Sequence, residues 1–186
     1  IQKRNGFSRY NATTISSGNA VTGLWRHYEN TGVGTASKRM ISKVGSTFYE
    51  GTDSGGTFAA LTVTGGAIQA GRPQFADFED TAIITNTVSG LVKVWNIGAA
   101  NITDLGGTPP NALYVTTHFE RVWLAGLASE SELRFSDSSA PTTWPAANSI
   151  QVGEGDGDAI AGIARVQSGL LIWKRHALWL LLGNSS

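Results

Sequence analysis

The densest chemistry in this 186-residue chain is Gly153-Glu154-Gly155-Asp156-Gly157-Asp158, three carboxylates alternating with glycine. Glu154, Asp156 and Asp158 offer oxygen ligands at every second position, as the first three ligand positions of a calcium loop do. Such a loop also needs Gly at its sixth position and a bidentate Glu at its twelfth, where Ala159 and Arg165 stand. Two readings follow, a weak cation site and a solvated turn between strands. His27, His118 and His176 are the only histidines, and they fall too far apart for a metal motif such as H-E-x-x-H. A nucleophile elbow, G-x-S-x-G, is absent as well. The residues thus name no catalytic group and no cofactor, and the chain reads as a non-enzyme. A site gathered from several distant repeats is the arrangement that such a reading does not reveal.

The elements that must position these residues are short strands. Around the carboxylate turn, apolar runs of four to eight residues bounded by Gly, Ser and Asn predict strands at Ala159 to Val166, Leu170 to Lys174 and Ala177 to Leu182. A short polar turn leading into an apolar strand recurs upstream. Taking Phe48, Ala82, Val122 and Leu170 as equivalent gives spacings of 34, 40 and 48 residues. Propeller blades recur about every 40 to 50 residues as four short antiparallel strands. The expected architecture is therefore all-β: a β-propeller-like array with three nearly complete four-stranded blades and one partial blade, a fragment of a larger propeller.

Taken in order, residues 1–20 read as an N-terminal arm and 21–186 as the propeller segment. The first blade, about 21–64, has strands at Val21 to Glu29, Lys38 to Val44, Thr47 to Thr52 and Thr57 to Thr62. The second, about 72–106, has them at Gln74 to Phe78, Thr81 to Asn86, Leu91 to Asn96 and Ile102 to Asp104. Pro109-Pro110 then breaks the ladder, because proline has no N–H to donate. The third blade, about 112–153, has strands at Leu113 to Phe119, Arg121 to Gly126, Glu132 to Ser136 and Ile150 to Val152. The fourth, about 158–186, ends after three strands, so a partner strand is expected from elsewhere.

Fourteen basic and fourteen acidic residues cancel, so no basic field points to nucleic acid or an anionic membrane. Zero cysteines exclude disulfides and thiolate metal sites. No apolar run approaches the roughly 20 residues of a membrane helix. Charged residues make up 15% of the chain, against roughly 25% in ordinary soluble domains, which predicts extensive contact with other protein.

Two motif sets resemble known families. Asp53-Ser54-Gly55-Gly56-Thr57-Phe58 resembles the Asp-box turn of sialidase-type propellers, which joins the third and fourth strands of a blade; Gly51 replaces the usual Ser or Thr. That resemblance implies fold, and it keeps a sialidase-like or carbohydrate-binding propeller as an alternative, for which arginines and carboxylates must cluster at the blade axis. The wider resemblance runs through Lys3-Arg4-Asn5-Gly6-Phe7, Pro109-Pro110 before Leu113 to His118, Arg121-Val122-Trp123-Leu124-Ala125-Gly126, and Leu133-Arg134-Phe135-Ser136-Asp137 with Pro141 and Trp144. Together with Gly153 to Asp158 ahead of Leu170 to Lys174, these phrases resemble β-propeller tail proteins of tailed bacteriophages, the nozzle, hub or packaged-DNA stabilisation proteins of short-tailed phages. The resemblance implies a virion structural protein made in the host bacterial cytoplasm. It also implies a homo-oligomeric ring, commonly hexameric, which contacts portal or adaptor proteins and lines the DNA exit channel.

An assembly protein works through interfaces, and the candidates are Trp144, Trp173, Trp179, Leu180 and Leu182. Trp144, in the long loop Asp137 to Asn148, reads either as an exposed anchor or as a ring folded back onto its own blade. Trp173 and the run Leu178 to Leu182 read either as a subunit interface or as blade core. Lys174, Arg175 and His176 read as a solvated tip or as a contact to phosphates.

Overall fold

A computed structural model describes residues 11, 14–29, 37–52, 56–66, 71–86 and 90–183. The chain is all-β and propeller-like. The first blade comprises β1 (Val21–Glu29), β2 (Ser37–Val44), β3 (Thr47–Thr52) and β4 (Phe58–Val63). The second comprises β5 (Gln74–Phe78), β6 (Thr81–Thr85), β7 (Lys93–Asn96) and β8 (Asn101–Asp104), and the third β9 (Tyr114–His118), β10 (Arg121–Ala125), β11 (Glu132–Phe135) and β12 (Ser149–Gln151). A fourth, three-stranded blade holds β13 (Ile160–Val166), β14 (Gly169–Lys174) and β15 (Leu178–Leu182). Strands within a blade pair antiparallel in sequence order. The first two blades also join at their outer strands, where β4 and β8 run parallel with Thr62 opposite Asn101 and Val63 opposite Ile102.

Each strand lies within two residues of its sequence expectation, because polar two-residue turns and apolar runs mark it. The assignment of Phe48 is the correction. Phe48 sits on β3, the third strand of its blade, whereas Ala82, Val122 and Leu170 sit on second strands. The tight Val44-Gly45-Ser46-Thr47 turn, with Gly45 at φ 59°, looks like the first hairpin of the other blades but joins β2 to β3. The N-terminal arm through residue 10, the first three positions of the Asp-box-like turn and the last three residues lie outside the described residues.

Alternation along each strand gives a blade two apolar faces, and three cores form where blades stack. Ile41, Phe48 and Leu61 of the first blade meet Ala82, Ile84, Trp95 and Ile102 of the second. Ile83 and Phe78 meet Val115, Val122 and Leu124 of the third. Trp123, Leu133 and Phe135 meet Ile160, Leu170 and Ile172 of the fourth. Each fully buried side chain of this size contributes roughly 1.5–3 kcal/mol. One buried lysine serves loops beside each of the two outer contacts: Lys43 Nζ donates to Gly71 O at 2.9 Å and Lys174 Nζ crosses to the third blade. Within the second blade, buried Lys93 Nζ ties back the loop after β4 through Thr64 O and Gly66 O, and it pairs with Asp104. An ammonium buried at these places is tolerated because carbonyl or carboxylate oxygens replace its water.

Gly51 explains its own departure from the Asp-box pattern. It pairs across the ladder with Phe58, and a Cβ there would come within 2.6 Å of the Phe58 ring. Ser or Thr at this position would displace the aromatic ring.

Candidate functional site

The carboxylate turn is a lysine cage. Positive φ at Gly153, Gly155 and Gly157 (60°, 81° and 67°) coils the chain into a conformation that side chains resist. Lys174 is buried, and its Nζ donates to both Asp156 oxygens at 2.8 Å, to Ser131 Oγ at 3.1 Å and to Gly153 O at 3.3 Å. The hydrogen bond from Lys174 is the main reason the Asp156 carboxyl lies below its ordinary range. Asp158 accepts the backbone N–H groups of Arg175 at 3.0 Å and His176 at 2.7 Å. Desolvation pushes Asp158 up, and those two amides pull it down further, so it too ends below the ordinary range. Glu154 is exposed. Among the described residues no group of three or more His, Asp and Glu is placed to hold a metal ion. The basic tip is corrected likewise: Lys174 is committed inward, and only Arg175 and His176 are exposed.

A second site arises where the innermost strands β1, β5, β9 and β13 converge. They border a two-lobed axial cleft whose lobes, about 420 Å³ and 320 Å³, share Asp77, Thr117 and Arg165. Trp25, Arg26, Tyr28 and Phe75 line the smaller lobe; Glu79, His118, Phe119, Glu120 and Ser139 line the larger. At its wall Asp77 Oδ1 accepts Trp25 Nε1–H at 2.9 Å and lies 2.7 Å from His27 Nδ1. His27 Nε2 stands 3.1 Å from the Asp80 carbonyl oxygen, which can only accept, so both ring nitrogens face acceptors. Burial opposes the charged ring, yet the Asp77 hydrogen bond and charge outweigh it and the His27 pKa is raised. His118 moves the other way: burial first, then the Arg165 charge, lower its pKa. Its Nε2 is buried without a hydrogen-bond partner.

The β9–β10 hairpin aims residues into this cleft at a conformational cost. Phe119 and Glu120 form its two-residue turn with φ of 49° and 56°, a type I′ geometry that ordinarily takes Asn-Gly. The Phe119 ring is held against His118 with centroids 3.8 Å apart, and Glu120 Oε2 accepts the Ser138 and Ser139 hydroxyls at 3.0 Å each. The cleft can donate through Arg165, accept through Asp77 and Glu79, and offer aromatic faces. Sequence reading missed it because its residues come from four blades. The available signal was a two-residue hairpin turn without glycine.

The third feature is the pair of open ends. Among the described residues ten large apolar side chains are exposed, and eight fall at the two ends of the blade series: Val21, Leu24 and Tyr28 on β1, and Trp173, Leu178, Trp179, Leu180 and Leu182 on the fourth blade. On β15 the odd residues, Trp179 and Leu181, pair beside Ile172 and Leu170 and lean toward the third blade. The Trp179 ring lies near Gly153, where an added Cβ would come within 3.1 Å of it. The even residues share the outer face with Leu171 and Trp173. The apolar strand that reads from sequence as either a subunit interface or blade core is exposed on its outer face, with Leu182 65% and Leu178 59% exposed. Trp144 is the opposite correction. It is buried between the second and third blades, its Nε1–H donates to Pro141 O at 2.9 Å, and it presents no exposed anchor.

Comparison with known proteins places the architecture. No family model and no curated protein matches the chain. Among solved structures it is similar to the computationally designed Ika4 protein, with a TM-score of 0.57 and 13% identity over 95% of this chain and 99% of that one. At that identity the likeness is one of fold.

Proposed function

We propose that this chain is a structural component of a tailed-bacteriophage virion, a propeller segment of the nozzle or hub that assembles into a ring around the DNA exit path. The observation that carries the reading is the gathering of exposed apolar side chains at the two ends of the blade series. Contiguous apolar surface of this kind marks a protein contact. The phrases from Pro109 to Gly183 that resemble phage tail proteins supply the setting. In that setting the partners are further copies and the portal or adaptor proteins, and balanced charge suits a lumen past which DNA slides without being read. Mass spectrometry of purified, nuclease-treated virions tests this: the chain should be present in a fixed ratio to the portal protein, and its absence from virions would refute the reading.

The axial cleft favours a second reading, a carbohydrate-binding propeller. Arg165, Asp77, Glu79 and the exposed Phe119 ring meet there, as sugar hydroxyls and a pyranose face require. A monomeric chain that binds or cleaves a glycan would favour this reading over the first.

A further inference from the structure

We infer that the axial cleft binds an acidic polysaccharide, seating the carboxylate of an internal uronic acid residue on Arg165 and the neighbouring sugar rings on aromatic faces to either side. The inference rests on the carbohydrate reading of the cleft and names its ligand. Backbone strain singles the cleft out. Among the described residues six non-glycine residues have positive φ, and four of them, Glu79 (50°), Phe119 (49°), Glu120 (56°) and Ser139 (54°), line the larger lobe. Strain of this kind persists only where the surrounding structure enforces it, and it clusters at ligand clamps. Here the Ser139 N–H donates to Glu120 O at 2.7 Å, so two of the strained turns brace each other.

The charges left unpaired choose the ligand. Asp77 Oδ1 is engaged by Trp25 and His27, and Glu120 Oε2 by two serine hydroxyls. The Arg26 guanidinium is drawn onto the Tyr28 ring, 4.9 Å from its centroid. Burial and then the Arg165 charge lower the His118 pKa, so that ring is neutral at pH 7. Arg165 itself is exposed, belongs to both lobes and, among the described residues, has no side-chain hydrogen bond or ion pair. A guanidinium fork without a partner matches a planar carboxylate. Phosphate recognition draws on clusters of arginines, and here one is free. Glu79 is also exposed and unpaired, and it can accept hydrogen bonds from ring hydroxyls. Aromatic faces lie in both lobes, Phe119 in the larger and Tyr28 in the smaller, and both rings are exposed. At about 420 Å³ and 320 Å³, each lobe has the size of a small-ligand pocket. A cation shared between two such lobes meets the middle of a sugar chain and not its end.

Calorimetric titration of the full chain with trigalacturonate, trimannuronate and a hyaluronan tetrasaccharide tests this, each beside the same oligosaccharide with its carboxyl groups reduced to alcohols. At least one uronate should bind, and either reducing its carboxyls or making Arg165→Gln should weaken binding by about tenfold or more. Arg165→Lys, which keeps the charge and loses the fork, should recover part of the loss. Arg165 is exposed and unpaired, so both variants should melt with the unmodified chain by circular dichroism. Phe119→Asn combined with Glu120→Gly relieves the strained turn, and it should melt higher while binding several-fold more weakly. Unchanged binding or a lower melting point in that variant would overturn the inference. Equal binding of a uronate and its reduced form, or full binding by Arg165→Gln, would overturn it and leave the carbohydrate reading standing. Binding of neither form of any of the three would remove both.

Discussion

β10 and β14 are second strands of consecutive blades, and their alternate residues meet different fates. Val122, Leu124, Leu170 and Ile172 all pack on the preceding blade. The alternate residues differ: Trp123 and Ala125 are fully buried, while Leu171 is half-buried and Trp173 is 39% exposed. Local sequence does not separate the two strands, since both are apolar on both faces. What separates them is that the fourth blade covers the outward face of β10, while no described residue covers Trp173 to the same extent. In a stacked fold, burial of an outward face is a property of the neighbour, which local sequence does not carry.

The comparison breaks first at its tryptophans. Trp123→Ala removes a ring packed at a tilt against Phe135, centroids 4.7 Å apart, and a hydrogen bond to His118 O, and should cost about 3–5 kcal/mol. Trp173→Ala, in the monomer, should cost about 1 kcal/mol or less. Urea melts of both variants measure the difference, and equal losses would show that the fourth blade is covered after all.

The contact between the first two blades also carries a pH dependence, through His27. Because the His27 pKa is raised by Asp77 in the folded state, its contribution is fully present below the unfolded value near 6.5 and is lost as pH rises through the folded value. Thermal melts should therefore fall on going from mildly acidic to alkaline pH, and Asp77→Asn should flatten that fall. A fall of the same size in the Asp77→Asn variant would remove His27 as its source.

Much of the fold was legible in the sequence, because turn chemistry and alternation are local. The Val122 to Ala125 and Leu170 to Lys174 strands follow from their bounding turns alone. Blade membership was less legible: the Val44 to Thr47 turn has the form of a first hairpin, which put Phe48 one strand out of place. The axial cleft was not legible, since Asp77, His118 and Arg165 come together only when three blades stack. Lys174 illustrates the remaining gap. Its charge predicts exposure, and only the coiled glycine turn that delivers Asp156 makes its burial tolerable.

The most direct test of the central claim is hydroxyl-radical footprinting of the tryptophans over a protein dilution series. Trp173 should be oxidised readily at the lowest concentration and become protected as concentration rises, while Trp95 and Trp123 stay protected throughout. Protection of Trp173 at every concentration, or its continued oxidation at the highest, would contradict the account.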